Sequence, residues 1–263
     1  MDYRAILYQK SGGKAIITLN RPRALNALNR EILEELLSAI QEASRDPEVK
    51  VLILTGAGRA FCFGADISEF SRQIAMGTPD SAILLLKKAQ EVIRLLTSIP
   101  KPTIAALNGF ATGLGLDLAL ACDLRVAAQR AKLAEAFISM GLVPDGGGTF
   151  FLPRLVGLAK AAEMIFTGES LNASEAERIG LVNRVVPTEE LAKATENLAD
   201  KLARGPRLAL GRAKQALWKN LGGDLDSALQ VEAQSQMTCL ASDDHREAVQ
   251  AFLEKREPVF RGT

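Results

Sequence analysis

The chain has 263 residues, 48% of them apolar and 24% charged, and 32 Lys and Arg against 31 Asp and Glu leave a net charge of +1. That length suits one large α/β domain, or a core with a smaller appendage, and the balanced charge argues against nucleic acid or an anionic membrane as a partner. No apolar run reaches the roughly 18 residues of a membrane span, so the expected location is cytoplasmic.

The elements follow in chain order. KAIITLN (14–20) and VKVLILTG (49–56) are β-branched, apolar and bounded by turn signals, which predicts buried strands. Between them Ile32, Leu33, Leu36, Leu37 and Ile40 recur at helical spacing behind Asn29, an N-cap candidate. The weakly patterned segment 72–82 predicts a loop or lid over a site. PTIAALNG (102–109) and DLRVAA (123–128) predict two further strands, and GLGLDLALAC (113–122), apolar almost all round, predicts a buried helix. From about Gly157 onward helical patterns dominate, interrupted by one strand candidate at 181–186. The expected organisation is an α/β core over 1–200 and a helical region over 201–263.

Cys62, Cys122 and Cys239 lack CxxC spacing, and the single histidine, His245, lies in a charged helix pattern. Neither a metal site nor a histidine-dependent triad is expected, so carboxylates and backbone amides are left as the chemical agents. Two glycine-containing turns follow predicted strands, at 55–70 and 108–120, where amides without intrahelical partners can bind an anionic oxygen. Asp117 lies three residues after Leu114 on the same face of an apolar helix, where burial raises a carboxyl's pKa. It can equally serve as a charge near the helix N-terminus. Asp145, between Pro144 and three glycines, reads as a turn residue or as an acid held at a site.

TLNRPRALNAL (18–28), GRAFCFGADI (58–67), NGFATGLGLDLALACD (108–123), GLVPDGGGTFFLPRLVG (141–157) and AERIGLVNRVV (176–186) together resemble the enoyl-CoA hydratase/isomerase family, the crotonase superfamily. The resemblance runs from about residue 3 to the closing AFLEKREPVF. It implies a crotonase-like α/β spiral of repeated ββα units with a C-terminal helical trimerisation region, giving a homotrimer or homohexamer. It also implies an acyl-CoA thioester substrate and no prosthetic group. By the same resemblance, the amides of Ala65 and Leu114 form an oxyanion hole, Leu114 standing where a Gly is common. Arg23, Ala24, Leu25, Ala65, Asp66, Ile67, Phe252 and Lys255 match CoA-binding positions.

The chain departs from the hydratase pattern at one decisive place. Hydratases that it resembles carry two glutamates, one at the position of Asp117 and one at that of Phe137. Phe137 cannot serve as an acid or base and is assigned to the acyl pocket. Glu135, two residues earlier, would share a strand face with Phe137 but does not align with the motif. Asp145 is similar to an Asp of dienoyl-CoA isomerases and of the ring-epoxide isomerases of phenylacetate breakdown. The expectation is therefore a double-bond isomerase in which Asp145 moves the proton and Asp117 assists. An enoyl-CoA or dienoyl-CoA hydratase is the alternative, and a non-catalytic acyl-CoA-binding protein is the alternative from another class.

Overall fold

Ten strands make two sheets among the described residues: β1 (Ile6–Ser11), β2 (Lys14–Leu19), β3 (Val51–Gly56), β4 (Ala60–Cys62), β5 (Thr103–Leu107), β6 (Phe110–Thr112), β7 (Leu124–Ala128), β8 (Lys132–Ala134), β9 (Leu171–Asn172) and β10 (Arg184–Val186). The computed structural model describes residues 3–69, 71 and 79–263, with the backbone alone for 79–82. Residues 72–78 of the anticipated loop lie outside the described residues, and 79–82 open a helix.

The larger sheet runs β1-β2-β3-β5-β7-β10 and the smaller one β4-β6-β8-β9. All neighbours are parallel except β1 with β2 and β8 with β9. The consecutive pairs β3/β4, β5/β6 and β7/β8 each place their first strand in the large sheet and their second in the small one. A helix follows each pair, so the chain winds as a spiral of ββα units without any matching sequence repeat.

The helices are α1 (Arg30–Arg45), α2 (Pro79–Ser98), α3 (Leu114–Leu120), α4 (Gly148–Thr167), α5 (Ala173–Arg178), α6 (Leu191–Ala203), α7 (Arg207–Asn220), α8 (Leu225–Leu240) and α9 (Asp243–Glu254). Asn29 caps α1 through a 3.0 Å bond from the Ile32 N–H. The five predicted apolar positions of α1 are buried, against one face of the large sheet. Leu191, Ala199 and Ala203 of α6 cover the other face through Val51, Ile53, Ile104 and Val126. No helix of the described residues is long and apolar enough to cross a membrane. The helix expected from about Gly157 starts earlier, at Gly148, and breaks at Gly157, where φ is 77° and ψ is 158°.

Asn26 ties the loop after β2 to the β3–β4 turn and to β4. It is fully buried; its Nδ2 donates to the carbonyls of Ala57, Ala60 and Phe61, and its Oδ1 accepts from the Arg21 N–H at 2.9 Å. Asn26→Leu would strand several of these groups away from water. Each buried unsatisfied group costs about 1–3 kcal/mol, so a loss of about 3 kcal/mol in unfolding free energy is expected by chemical denaturation. An unchanged denaturation midpoint would show that water replaces the amide.

Candidate active site

Three carboxylates from successive parts of the spiral meet beside one glycine turn. The first, Asp117, is carried by α3, a helix whose seven residues are all buried. α3 sits this deep because Gly115 lies against the β4 backbone: a Cβ there would fall 2.2 Å from the Cys62 carbonyl oxygen. The Asp117 Oδ2 accepts from the Gly146 N–H at 3.0 Å. Its Oδ1 has no well-formed hydrogen-bond partner, although the Gly148 N–H nearby favours the ionised carboxyl.

The second, Glu135, was expected on a strand face beside Phe137. Instead β8 ends at Ala134, and Glu135, with φ −91° and ψ 69°, turns the chain into a short 3-10 helix over Ala136–Met140. That turn sends Glu135 inward, where it is 0% exposed and neither carboxyl oxygen has a hydrogen-bond partner. The Phe137 ring, also buried, lies over Gly113 at the entry to α3, 3.5 Å from where a Cβ would stand.

The third, Asp145, is in the loop before α4. Its carbonyl accepts from Gln90 Nε2 of α2 at 3.1 Å, while its Oδ1 is buried without a partner. The glycines that follow are needed because the acids crowd them. A Cβ on Gly146 would lie 2.8 Å from Asp117 Oδ2 and 2.5 Å from a Leu114 methyl. One on Gly148 would lie 2.7 Å from Asp117 Oδ1 and 3.0 Å from Glu135 Oε1.

Burial dominates the electrostatics. It raises the Asp145 carboxyl to about 6, partly offset by its own backbone N–H. Burial likewise raises Asp117, and the Asp145 charge adds to that rise. Glu135 is pushed furthest, first by burial and then by Asp117 and Asp145. The ionisable groups that raise Glu135 are thus both acids. Among the described residues no set of three His, Cys, Asp or Glu is placed to hold a metal ion.

The predicted oxyanion positions also converge. A Cβ on Gly64, the residue before Ala65, would stand 3.8 Å from the Leu114 nitrogen and 2.9 Å from the Thr112 carbonyl oxygen. The Gly64 carbonyl and the Asp66 N–H are bonded to Leu28, which holds the Ala65 turn in place. Leu114 is the first residue of α3, where an N–H has no intrahelical acceptor. Ala24 and Leu25 reach the same region, since the Leu25 carbonyl accepts from the Phe63 N–H at 3.1 Å. Arg23 is exposed on that turn, Ile67 is exposed on the neighbouring one, and Asp66 is paired with Arg21 at 2.9 Å. Phe252 and Lys255 are not brought here within one chain. They sit at the far end of α9, which packs on α8, and Phe252 is 83% exposed.

The Enoyl-CoA hydratase/isomerase family model matches residues 9–263. The chain is 40% identical over 261 residues to crotonyl-CoA hydratase of Syntrophomonas wolfei, covering 99% of each chain. The chain belongs to the enoyl-CoA hydratase/isomerase family. Within that family it is also 39% identical over 257 residues to 1,2-epoxyphenylacetyl-CoA isomerase of Escherichia coli, covering 98% of each. Its fold matches the crystal structure of enoyl-CoA hydratase from Bacillus anthracis with a TM-score of 0.94 at 36% identity, covering 99% of this chain and 100% of that one. The crotonase fold expected from the motifs is therefore present. The family motifs quoted above pass over Glu135 and Gln90, and Arg21, though within one of them, was given no role. The only sequence signal for Glu135 is an acid at the end of a short apolar strand; Gln90 carries none.

Proposed function

We propose that this hydratase/isomerase-family enzyme shifts a double bond in an acyl-CoA thioester by proton transfer through Asp145. The observation that carries this reading is a carboxyl raised to about 6, with an unpartnered oxygen, beside the Leu114 turn. A base with a pKa near the working pH transfers protons well in both directions. In the proposed reaction Asp145 removes a proton from C2 of a 3-enoyl thioester. The electrons pass onto the thioester oxygen, held by the Ala65 and Leu114 amides, and Asp145 returns the proton at C4 to leave the 2-enoyl product. Arg23, Ala24, Leu25, Asp66 and Ile67 line the adjoining loops and are proposed to hold CoA. No prosthetic group is needed for such chemistry.

Hydration is the second reading, supported by the buried pair Asp117 and Glu135 and by the hydratases among the relatives. The test is to incubate the protein with 3-enoyl-CoA and 2-enoyl-CoA in deuterated water and follow products by mass spectrometry. Double-bond migration with deuterium exchange supports the isomerase, whereas addition of one water makes it a hydratase. Binding with turnover of neither would favour an acyl-CoA-binding protein. For the isomerase, kcat/KM should rise with pH through about 6 and then level off, because the base must be ionised to accept the proton. A profile flat down to pH ~4, the range of an ordinary carboxylate, would remove Asp145 from the role.

The helical tail is proposed to make the subunit contacts of a trimer or a dimer of trimers. Leu217, Leu225 and Met237 are each 72% exposed and Leu253 is 74% exposed, an apolar surface of the kind that marks an interface. A Leu225→Glu, Leu229→Glu double variant is expected to sediment as a smaller species than wild type. Equal sedimentation would place the interface elsewhere.

A further inference from the structure

We infer that Glu135 is a proton-bearing positioning residue: its carboxyl, held neutral, donates to the free Oδ1 of Asp117 and ties the two acids into a pair that carries at most one negative charge. The inference deepens the proposed function, since the pair leaves Asp145 as the one separately ionised base at the reacting carbons.

Geometry carries it. Glu135 is 0% exposed with both carboxyl oxygens unpartnered, and Asp117, equally buried, has Oδ1 unpartnered while Oδ2 is occupied by the Gly146 N–H. Glu135 Oε1 and Asp117 Oδ1 both come within 3.0 Å of the point that a Cβ on Gly148 would fill. A side chain at 148 would therefore crowd both acids. A buried carboxylate without a donor or counter-ion costs several kcal/mol and takes up a proton instead. The groups that face Glu135 are Asp117 of α3 and Asp145 of the turn before α4, and both are acids that favour its neutral form. One proton on Glu135 neutralises its own carboxyl and gives the Asp117 Oδ1 a donor.

Glu135 does not face the acyl group, so its effect passes through Asp117. The hydrogen bond fixes the Asp117 carboxyl, and a single shared charge limits repulsion of the Asp145 carboxylate. This arrangement also bears on the choice of reaction. Where the hydratases that the chain resembles carry a Glu, it has Phe137, and the second acid, Glu135, is fully buried.

The test uses the full-length protein and two readouts. Infrared difference spectra between wild type and Glu135→Gln, from about pH 5 to about pH 9, should contain a neutral-acid carbonyl band assigned to Glu135 that persists above the Asp145 transition. In assays of double-bond migration, Glu135→Gln keeps a neutral donor and should stay within about threefold of wild-type kcat/KM with the same lower limb. Glu135→Leu removes the donor and should fall by about tenfold or more, with KM little changed. Absence of the neutral-acid band at neutral pH overturns the inference, as does a Gln variant as impaired as a folded Leu variant. If wild type moves no double bond, the isomerase reading fails, and the infrared result still decides the protonation of Glu135.

Discussion

Asp145→Asn abolishes double-bond migration and leaves acyl-CoA binding almost intact. The loss expected for removing a positioned general base is ~10²–10⁴ in kcat. The contact that holds the loop survives the change, because Gln90 binds the backbone carbonyl of Asp145 and not its side chain. Burial that raises the carboxyl to about 6 is a heavier burden on an ionised group than on an amide, so Asn should fold about as well at neutral pH. A carboxyl whose folded pKa exceeds its unfolded value lends stability at low pH that is lost as pH rises through about 6. Asp145→Asn removes that dependence. Stopped migration with unchanged KM and an unchanged thermal midpoint at pH 7 is the expected pattern. Retained migration would transfer the proton to Asp117.

Gly115→Ala is expected to harm both activity and stability. The added Cβ would meet the Cys62 carbonyl oxygen at 2.2 Å and its carbonyl carbon at 2.7 Å. Backbone on both sides must shift, since no flexible side chain can yield. Overpacking of this kind costs about 3 kcal/mol. The displaced first turn of α3 also carries the Leu114 N–H and Asp117, so the proposed oxyanion donor moves off its line. Loss of one such donor costs ~10²–10³ in rate. Gly223→Ala, whose Cβ would meet only Ser227 at 3.7 Å, serves as the control and should change neither property. Gly115→Ala with wild-type kcat would mean that the α3 amide plays no part in the chemistry.

The strands of the large sheet were legible because both faces are covered: β3, for example, reads VLILTG with four consecutive buried residues. β1 was not legible. It is an edge strand whose pattern, ILYQKS, is mostly exposed, and it is pinned from outside by Glu35, which accepts from the Arg4, Ala5 and Ile6 N–H groups. β4 and β6 are three residues each, too short to express a period of two. In the candidate site, Asp117 and Asp145 stood out because each breaks an apolar or glycine-rich setting. Glu135 did not, because its burial depends on where β8 stops. One further strand residue would turn its side chain to the opposite face. Gln90 acts from α2 at a separation of 55 residues, and no local pattern encodes such a bond.

The seam between the two sheets has a consequence for how such a chain can change its chemistry. Each ββα unit crosses the seam once, and the turns that end the small-sheet strands carry Ala65, Leu114 and Glu135. The strands behind these turns hold the sheets together. A single substitution in such a turn can therefore add, move or silence an acid without disturbing the pairing of any strand. In the proposed reaction the framework carries the thioester grip as a constant and the proton relay as a variable. A chain built this way can stand at nearly equal distance from a hydratase and an isomerase, as this one does at 40% and 39% identity.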